Sequence, residues 1–389
     1  MNTIQRGILT LLASAIREES LPLPGEFDIS QVPEAIAGHH MAPLVYDGAI
    51  RCGISKDHPV MQGLFRSYCK GLLQGEGQLQ ALEKLYAAFD REGISYLPLK
   101  GCNMKHLYSR QELRTMGDAD ILIRVEEYGR IVPILEELGF TFKTESDHEL
   151  SWTSPQLYLE LHKCLIPSYN KDLYGYFGDG WSRTVKGEGS RFHMTPEDDF
   201  IFQFTHFAKH YRDGGIGCRY VVDLWVYRRA YPELKEDYLR SELEKLQLLE
   251  FYENIMALIG VWFAGAPETP KTEYLTEYIF ASGSWGKMES KTLSRAVRDS
   301  RHSLLGFSGR LLYLWQTAFP PLGLLKEKYT VLQKAPWLLP VVWLIRPFYK
   351  VIFERSSLKK QQANLQELSR ENMNRRREML QYVGLDYRF

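Results

Sequence analysis

The chain has 389 residues, enough for two or three domains with separate cores. Its 48 Lys+Arg balance 48 Asp+Glu, so the net charge is zero, which argues against bulk affinity for nucleic acid or acidic surfaces. Five scattered cysteines (Cys52, Cys69, Cys102, Cys164, Cys218) form no C-x-x-C pair, which argues against a zinc knuckle or disulfide framework and fits a reducing cytoplasm.

The first residues mimic a short signal peptide, Gly7-Ile8-Leu9-Thr10-Leu11-Leu12 before Ala13-Ser14-Ala15. Ile4, Ile8, Leu11, Leu12 and Ala15 share one helical face, however, so an amphipathic first helix is the better reading. No run of eighteen apolar residues predicts a membrane span. Residues 1–92 read as an N-terminal helical region. His58 to Asp90 has helical apolar spacing, with Gly71, Gly75 and Gly77 expected to break it into two helices and Gly93 to stop it. The period then changes. A strand is predicted at Ile94 to Leu99, a helix at Asn103 to Tyr108, a strand at Asp118 to Ile123 and a helix at Glu126 to Leu138. Strands at Phe140 to Lys143, Glu149 to Thr153 and Gln156 to His162 follow. That order predicts an α+β fold, a small α/β unit with a mixed sheet over residues 93–194, embedded between helical regions. Helices at 197–212, 219–231, 235–246 and 248–263 open a helical domain over 195–335, with Thr195 as cap, Pro196 in the first turn and Asp198 placed for a capping box. Beyond about residue 270 the pattern is less regular. Residues 336–389 form a Pro/aromatic segment and a polar tail with Lys359-Lys360 and Arg375-Arg376-Arg377. Pro340 and Pro347 are expected to prevent one continuous amphipathic helix in Trp337 to Phe353. The stretch either docks on the helical domain or makes weak membrane-surface contact, with Lys350 and the tail cations at headgroups.

Gly117-Asp118-Ala119-Asp120-Ile121 carries the chemistry. On a strand, Asp118 and Asp120 share one face, where they are either solvated acids or two oxygen ligands for a divalent cation. In Leu157-Tyr158-Leu159-Glu160-Leu161-His162, Glu160 and His162 share the face opposite three leucines. If the two strands are neighbours, three carboxylates converge, a set able to hold two divalent ions for chemistry at a nucleotide phosphate. Lys100-Gly101 ends a strand before a helix, suiting an anion, or is simply a turn. Arg114 either neutralises phosphate or pairs with Asp118. His162 is either a general base or a support for Glu160. His206 and His210 have i, i+4 metal-ligand spacing, but packing is the simpler reading, with Asp223 on the next helix able to orient one of them.

In sequence order, Leu97-Pro98-Leu99-Lys100-Gly101, Leu107-Tyr108, Arg114, Gly117-Asp118-Ala119-Asp120-Ile121-Leu122, Leu159-Glu160-Leu161-His162, His206, His210 and Val222-Asp223-Leu224 are similar to motifs of one family. The chain resembles the uncharacterised nucleotidyltransferase family of the DNA polymerase β-like nucleotidyltransferase superfamily, from the first helix to Leu338-Leu339-Pro340 and Arg346. The resemblance implies the minimal nucleotidyltransferase sheet with helical additions. It implies Asp118, Asp120 and Glu160 as Mg²⁺ (or Mn²⁺) ligands, with His162 beside them in the catalytic set. Lys100, Gly101, Arg114 and Gly117 would bind the nucleotide. One departure is that Lys100-Gly101 stands where the superfamily usually has Gly-Ser or Gly-Gly. The implied reaction transfers NMP from an NTP to an acceptor that is a small molecule, sugar, peptide or protein, nucleic acid being disfavoured by the neutral charge. A non-catalytic nucleotide-binding or regulatory module, or a phosphotransferase, are the alternatives. The sequence does not set the oligomeric state.

Overall fold

The computed structural model describes residues 1–168, 170–283, 315, 319, 320, 322, 325, 329, 331–353 and 370–386. The chain divides into two compact units: Met1–Lys209 with Ile216–Trp285 and Arg388–Phe389, and His210–Gly215 with Gly286–Tyr387.

The first unit opens on α1 (Thr3–Arg17), started by a capping box between Asn2 and Gln5. Its Ile8, Leu11, Leu12 and Ala15 face is fully buried, as the amphipathic reading requires. The short α2 (Val32–Ala35) and α3 (Ala42–Arg51) lead to α4 (Pro59–Glu92), one uninterrupted helix of 34 residues. The expected break at the glycines is absent, and packing supplies the reason. A Cβ at Gly71 would lie 3.3 Å from Pro43 and 3.4 Å from Thr115, and one at Gly75 would lie 3.2 Å from Lys105 Nζ. These glycines admit close neighbours, and tertiary contact offsets their weak helix propensity. From the same helix, Gln74 and Gln78 donate to the carbonyl of Met116, at 3.3 and 3.0 Å, and so hold the segment leading to Asp118.

The sheet has the order β1-β2-β5-β4-β3, with β1 (Tyr96–Pro98), β2 (Ala119–Ile123), β3 (Thr141–Glu145), β4 (Glu149–Thr153) and β5 (Tyr158–His162). Only the β2–β5 pair is parallel, so the expected mixed sheet and α+β class hold. Between β1 and β2 lies α5 (Gly101–Met104), and between β2 and β3 lies α6 (Tyr128–Glu137). Alternation sends Ala119, Ile121, Ile123, Leu159, Leu161, Leu150 and Trp152 into one core with Leu82, Leu85 and Phe89 of α4 and Ile131, Ile134 and Leu135 of α6. Each such Leu or Ile, removed from water, contributes about 1.5–3 kcal/mol. The opposite face is therefore left to Asp120, Glu160, His162, Ser151 and Glu149. Strand β3 is exposed throughout and carries Lys143 and Glu145, charges that blunt a sheet edge.

The chain next forms α7 (Lys171–Phe177) and a hairpin of β6 (Thr184–Lys186) with β7 (Phe192–Met194), none of them anticipated. Three-residue strands are too short to show alternation. Helices α8 (Pro196–Asp213), α9 (Cys218–Ala230), α10 (Glu236–Lys245) and α11 (Leu249–Phe263) stand where the periodicity put them. Thr195 caps α8, accepting from the Asp198 N–H at 3.1 Å. Beyond residue 270 the expected irregularity is wrong for α12 (Pro270–Ser282), which has a Thr269 capping box and Pro270 in its first turn.

In the second unit, Leu325, Leu332 and Val342 make a small core, joined by α13 (Val331–Lys334) and α14 (Leu339–Phe353). Helix α14 runs through Pro347, so the two prolines do not divide it. Pro340 sits in the first turn, where no N–H is required. Trp337, Val341, Leu344 and Ile345 are exposed. In α15 (Arg370–Tyr382), Arg376 donates to the carbonyls of Tyr211 and Arg212 at 3.2 and 3.1 Å. Lys359, Lys360 and the side chain of Lys350 lie outside the described residues. Among the described residues no helix is long and apolar enough to cross a membrane, and all five cysteines are free.

Candidate metal and nucleotide site

The parallel pairing of β2 with β5 sets Asp120 beside Glu160 and Leu122 beside His162. Side chains of paired residues share a face, so Asp120, Glu160 and His162 converge, with ligand atoms within 4.8 Å of one another. His162 Nε2 lies 2.8 Å from Asp120 Oδ1 and 3.8 Å from Glu160 Oε2. Lys100, at the end of the β1 turn, puts Nζ 2.6 Å from the same Asp120 oxygen.

Charge is unevenly matched here. Burial opposes ionisation of Asp120, but Lys100 and then His162 outweigh it and hold this carboxyl far below the usual range. Glu160 is not in direct contact with Lys100, whose pull on it is the weaker influence. Burial, then Asp120, Glu149 and Asp118, push it up to about 8. Burial and Lys100 lower the His162 pKa, so the ring is neutral near pH 7. A neutral ring facing an ionised carboxylate donates Nε2–H to Asp120, which leaves Nδ1 the acceptor, and Nδ1 is buried without a partner. His162 thus supports Asp120 more closely than Glu160.

Asp118 precedes β2 and is half-buried. Burial and then Asp120 raise its pKa, while Lys100 and Arg219 pull it down. Gly117 beside it is exposed, with open space where a Cβ would go. Arg114 does not pair with Asp118. Its Nη2 and Nε donate to Asp223 of α9 at 3.0 and 3.3 Å, and Tyr108 donates to the same carboxylate at 2.7 Å, all three groups being buried. Asp223 thus anchors Arg114 and Tyr108, where the sequence suggested a histidine. The guanidinium in turn lies over the start of α5, since a Cβ at Gly101 would come within 2.8 Å of Arg114 Nη1 and 3.1 Å of Met116. Gly101→Ala is expected to displace this locked side chain and cost about 1–3 kcal/mol, read as a lower melting temperature. An unchanged melting temperature would mean that the guanidinium moves freely.

Lys100 has φ 45° and ψ −116°, a backbone conformation that glycine adopts without penalty. Lys100 thus combines a backbone conformation suited to glycine with a charged side chain. Lys100→Gly and Lys100→Ala remove the same amine, but the glycine variant is expected to be the more stable by about 1 kcal/mol or more. Urea midpoints test this, and equal midpoints would show that the loop stores no strain.

Two site residues escaped the sequence reading. Glu149 pairs with His162 across β4–β5 and binds His148 Nε2 at 3.0 Å, adding a fourth acid to this face. The signal was its place at the start of a strand antiparallel to β5, which needs the pairing to be known. Arg219, in the first turn of α9, donates to the Thr115 carbonyl at 3.4 Å. His206 lies 6.5 Å, centroid to centroid, from the ring of Tyr220.

Oxygen donors with one imidazole, and more carboxylate than cation, fit a hard divalent cation. Asp120 and Glu160 supply the oxygens, and Asp118 stands at the edge. No curated protein and no solved structure matches the chain. A family model does match, over residues 25–264, so the similarity read at the first helix and at Leu338-Leu339-Pro340 and Arg346 lies outside it. That model is described as an uncharacterised nucleotidyltransferase, and with more than half of its length matched the chain belongs to this family of nucleotidyltransferase enzymes.

Proposed function

We propose that the chain transfers an NMP from an NTP to an acceptor oxygen, using Mg²⁺ or Mn²⁺ held by Asp118, Asp120 and Glu160. The single observation supporting this most is the register Asp120↔Glu160, which sets two carboxylates side by side in a place short of positive charge. The acceptor oxygen bonds to the α-phosphorus, the bond to pyrophosphate breaks, and the acceptor's proton leaves to solvent or a nearby carboxylate. The bound cation would supply charge to offset the phosphates and favour in-line attack. Lys100 would exchange Asp120 for a phosphate oxygen, and His162 would keep Asp120 oriented. Gly117, exposed and open, gives the substrate close approach, while Gly101 leaves room for Arg114 to brace the loop.

NTPs labelled at the α- or the γ-phosphate, incubated with protein, metal and a metabolite extract, test the reading. α-Label in a product with release of pyrophosphate supports it. γ-Label in the product would make the chain a phosphotransferase. No NTP binding or turnover with either metal would sink it. The second reading, nucleotide binding without turnover, is favoured by Lys100 at the glycine position, and a melting-temperature shift with NTP but no product would select it.

A further inference from the structure

Arg219 is a cation without a counter-charge. Several other arginines of this unit are ion-paired: Arg114 to Asp223, Arg110 to Asp47 and Glu112, Arg183 to Asp198, Arg228 to Glu236. No carboxylate among the described residues lies within ion-pair distance of Arg219. Its Nη1 makes only the long contact to Thr115, its Nε is buried without a partner, and its guanidinium centre lies 5.4 Å from the Tyr220 ring centroid. A buried, unmatched donor on a charged group is costly. The position compounds this. Arg219 stands in the first turn of α9, which holds no acidic residue there, so a cation faces the positive end of the helix. An anion beside the Nη groups would match both the unpaired charge and the helix end.

The neighbourhood points to which anion. Thr115, which Arg219 touches, lies three residues before Asp118. Two cations therefore flank the aspartate pair: Lys100 on Asp120 and Arg219 on the Asp118 side. On the proposal below, a chain of phosphates would span the two, which a single phosphate would not.

We propose that Arg219 binds the terminal phosphates of the nucleotide and makes the site selective for triphosphates over monophosphates. This rests on the nucleotidyl-transfer reading and adds a residue from outside the sheet to it. The guanidinium would donate from its Nη groups to phosphate oxygens.

The test is calorimetric binding of each of the four NTPs, the matching NMPs and inorganic tripolyphosphate, with Mg²⁺, to wild type, Arg219→Ala and Arg219→Lys of matched melting temperature. Arg219→Ala is expected to lose about 10–100-fold in NTP and tripolyphosphate affinity, with NMP affinity within about twofold of wild type and Arg219→Lys between the two. Unchanged NTP affinity in Arg219→Ala, or an equal loss for NTP and NMP, overturns the proposal. Failure of the transfer reading looks different. Wild type that binds tripolyphosphate through Arg219 but no NTP keeps the polyphosphate site and removes nucleotidyl transfer. Wild type that binds neither removes both.

Discussion

Asp120→Asn is expected to lower kcat for nucleotidyl transfer by about 10³-fold or more, because it removes the carboxylate on which the site converges. In the protein as it stands, Asp120 accepts from Lys100 at 2.6 Å and from His162 at 2.8 Å. The amide would keep the shape and lose the charge, leaving a partly buried ammonium opposite a neutral group, so a stability loss of a few kcal/mol should accompany the loss of activity. Urea denaturation beside steady-state rates separates the two effects. Asp118→Asn offers the contrast. Its carboxyl is more exposed and takes no part in the tight cluster, so activity should fall with little change in stability. A full loss of stability with Asp118→Asn, or near-normal kcat with Asp120→Asn, would contradict this description.

The second large effect is with pH. Glu160 has a folded pKa raised to about 8, above its ordinary 4.5, by burial and by Asp120, Glu149 and Asp118. For an acid raised in this direction, the folded state holds the proton more tightly than the unfolded one. Its contribution to stability is fully present below about pH 4.5 and is lost as pH rises through about 8. The displacement corresponds to several kcal/mol across that window, about 1.4 kcal/mol per pH unit. Asp120 runs oppositely: its lowered pKa stabilises the fold above its ordinary 3.8 and that stability is lost as pH falls further. Metal-free protein should therefore lose melting temperature between pH 6 and 8.5, and Glu160→Gln should flatten that slope. Added Mn²⁺ or Mg²⁺ must displace the Glu160 proton, so the stabilisation it gives should grow with pH over the same range. A metal-induced shift that is constant from pH 6 to 8.5 would mean that Glu160 is not at the cation site.

What the sequence made legible follows from period and what it hid follows from pairing. Asp120, Glu160 and His162 could be placed on polar strand faces because Ala119, Ile121, Leu159 and Leu161 alternate with them. That β2 and β5 are parallel neighbours was needed to bring them together, and only the fold supplies it. Of the two readings of Arg114, the pairing with Asp118 is the one the fold excludes. Its closeness to Asp118 in the chain suggested pairing, whereas Asp223, more than a hundred residues on, takes the guanidinium. Local spacing says nothing about such a contact. The glycines of α4 misled for the same reason, since propensity marks them as breakers and Pro43, Thr115 and Lys105 pack against them. Glu149 and Arg219 had no motif at all. Their positions beside His162 and Thr115 exist only once β4 meets β5 and α9 meets the loop before β2.

The most direct measurement is anomalous diffraction from crystals of the chain grown with Mn²⁺ and a non-hydrolysable NTP. Manganese density is expected at the carboxylates of Asp118, Asp120 and Glu160, with phosphate oxygens next to Lys100. Manganese elsewhere, or nucleotide bound away from this sheet face, would contradict it.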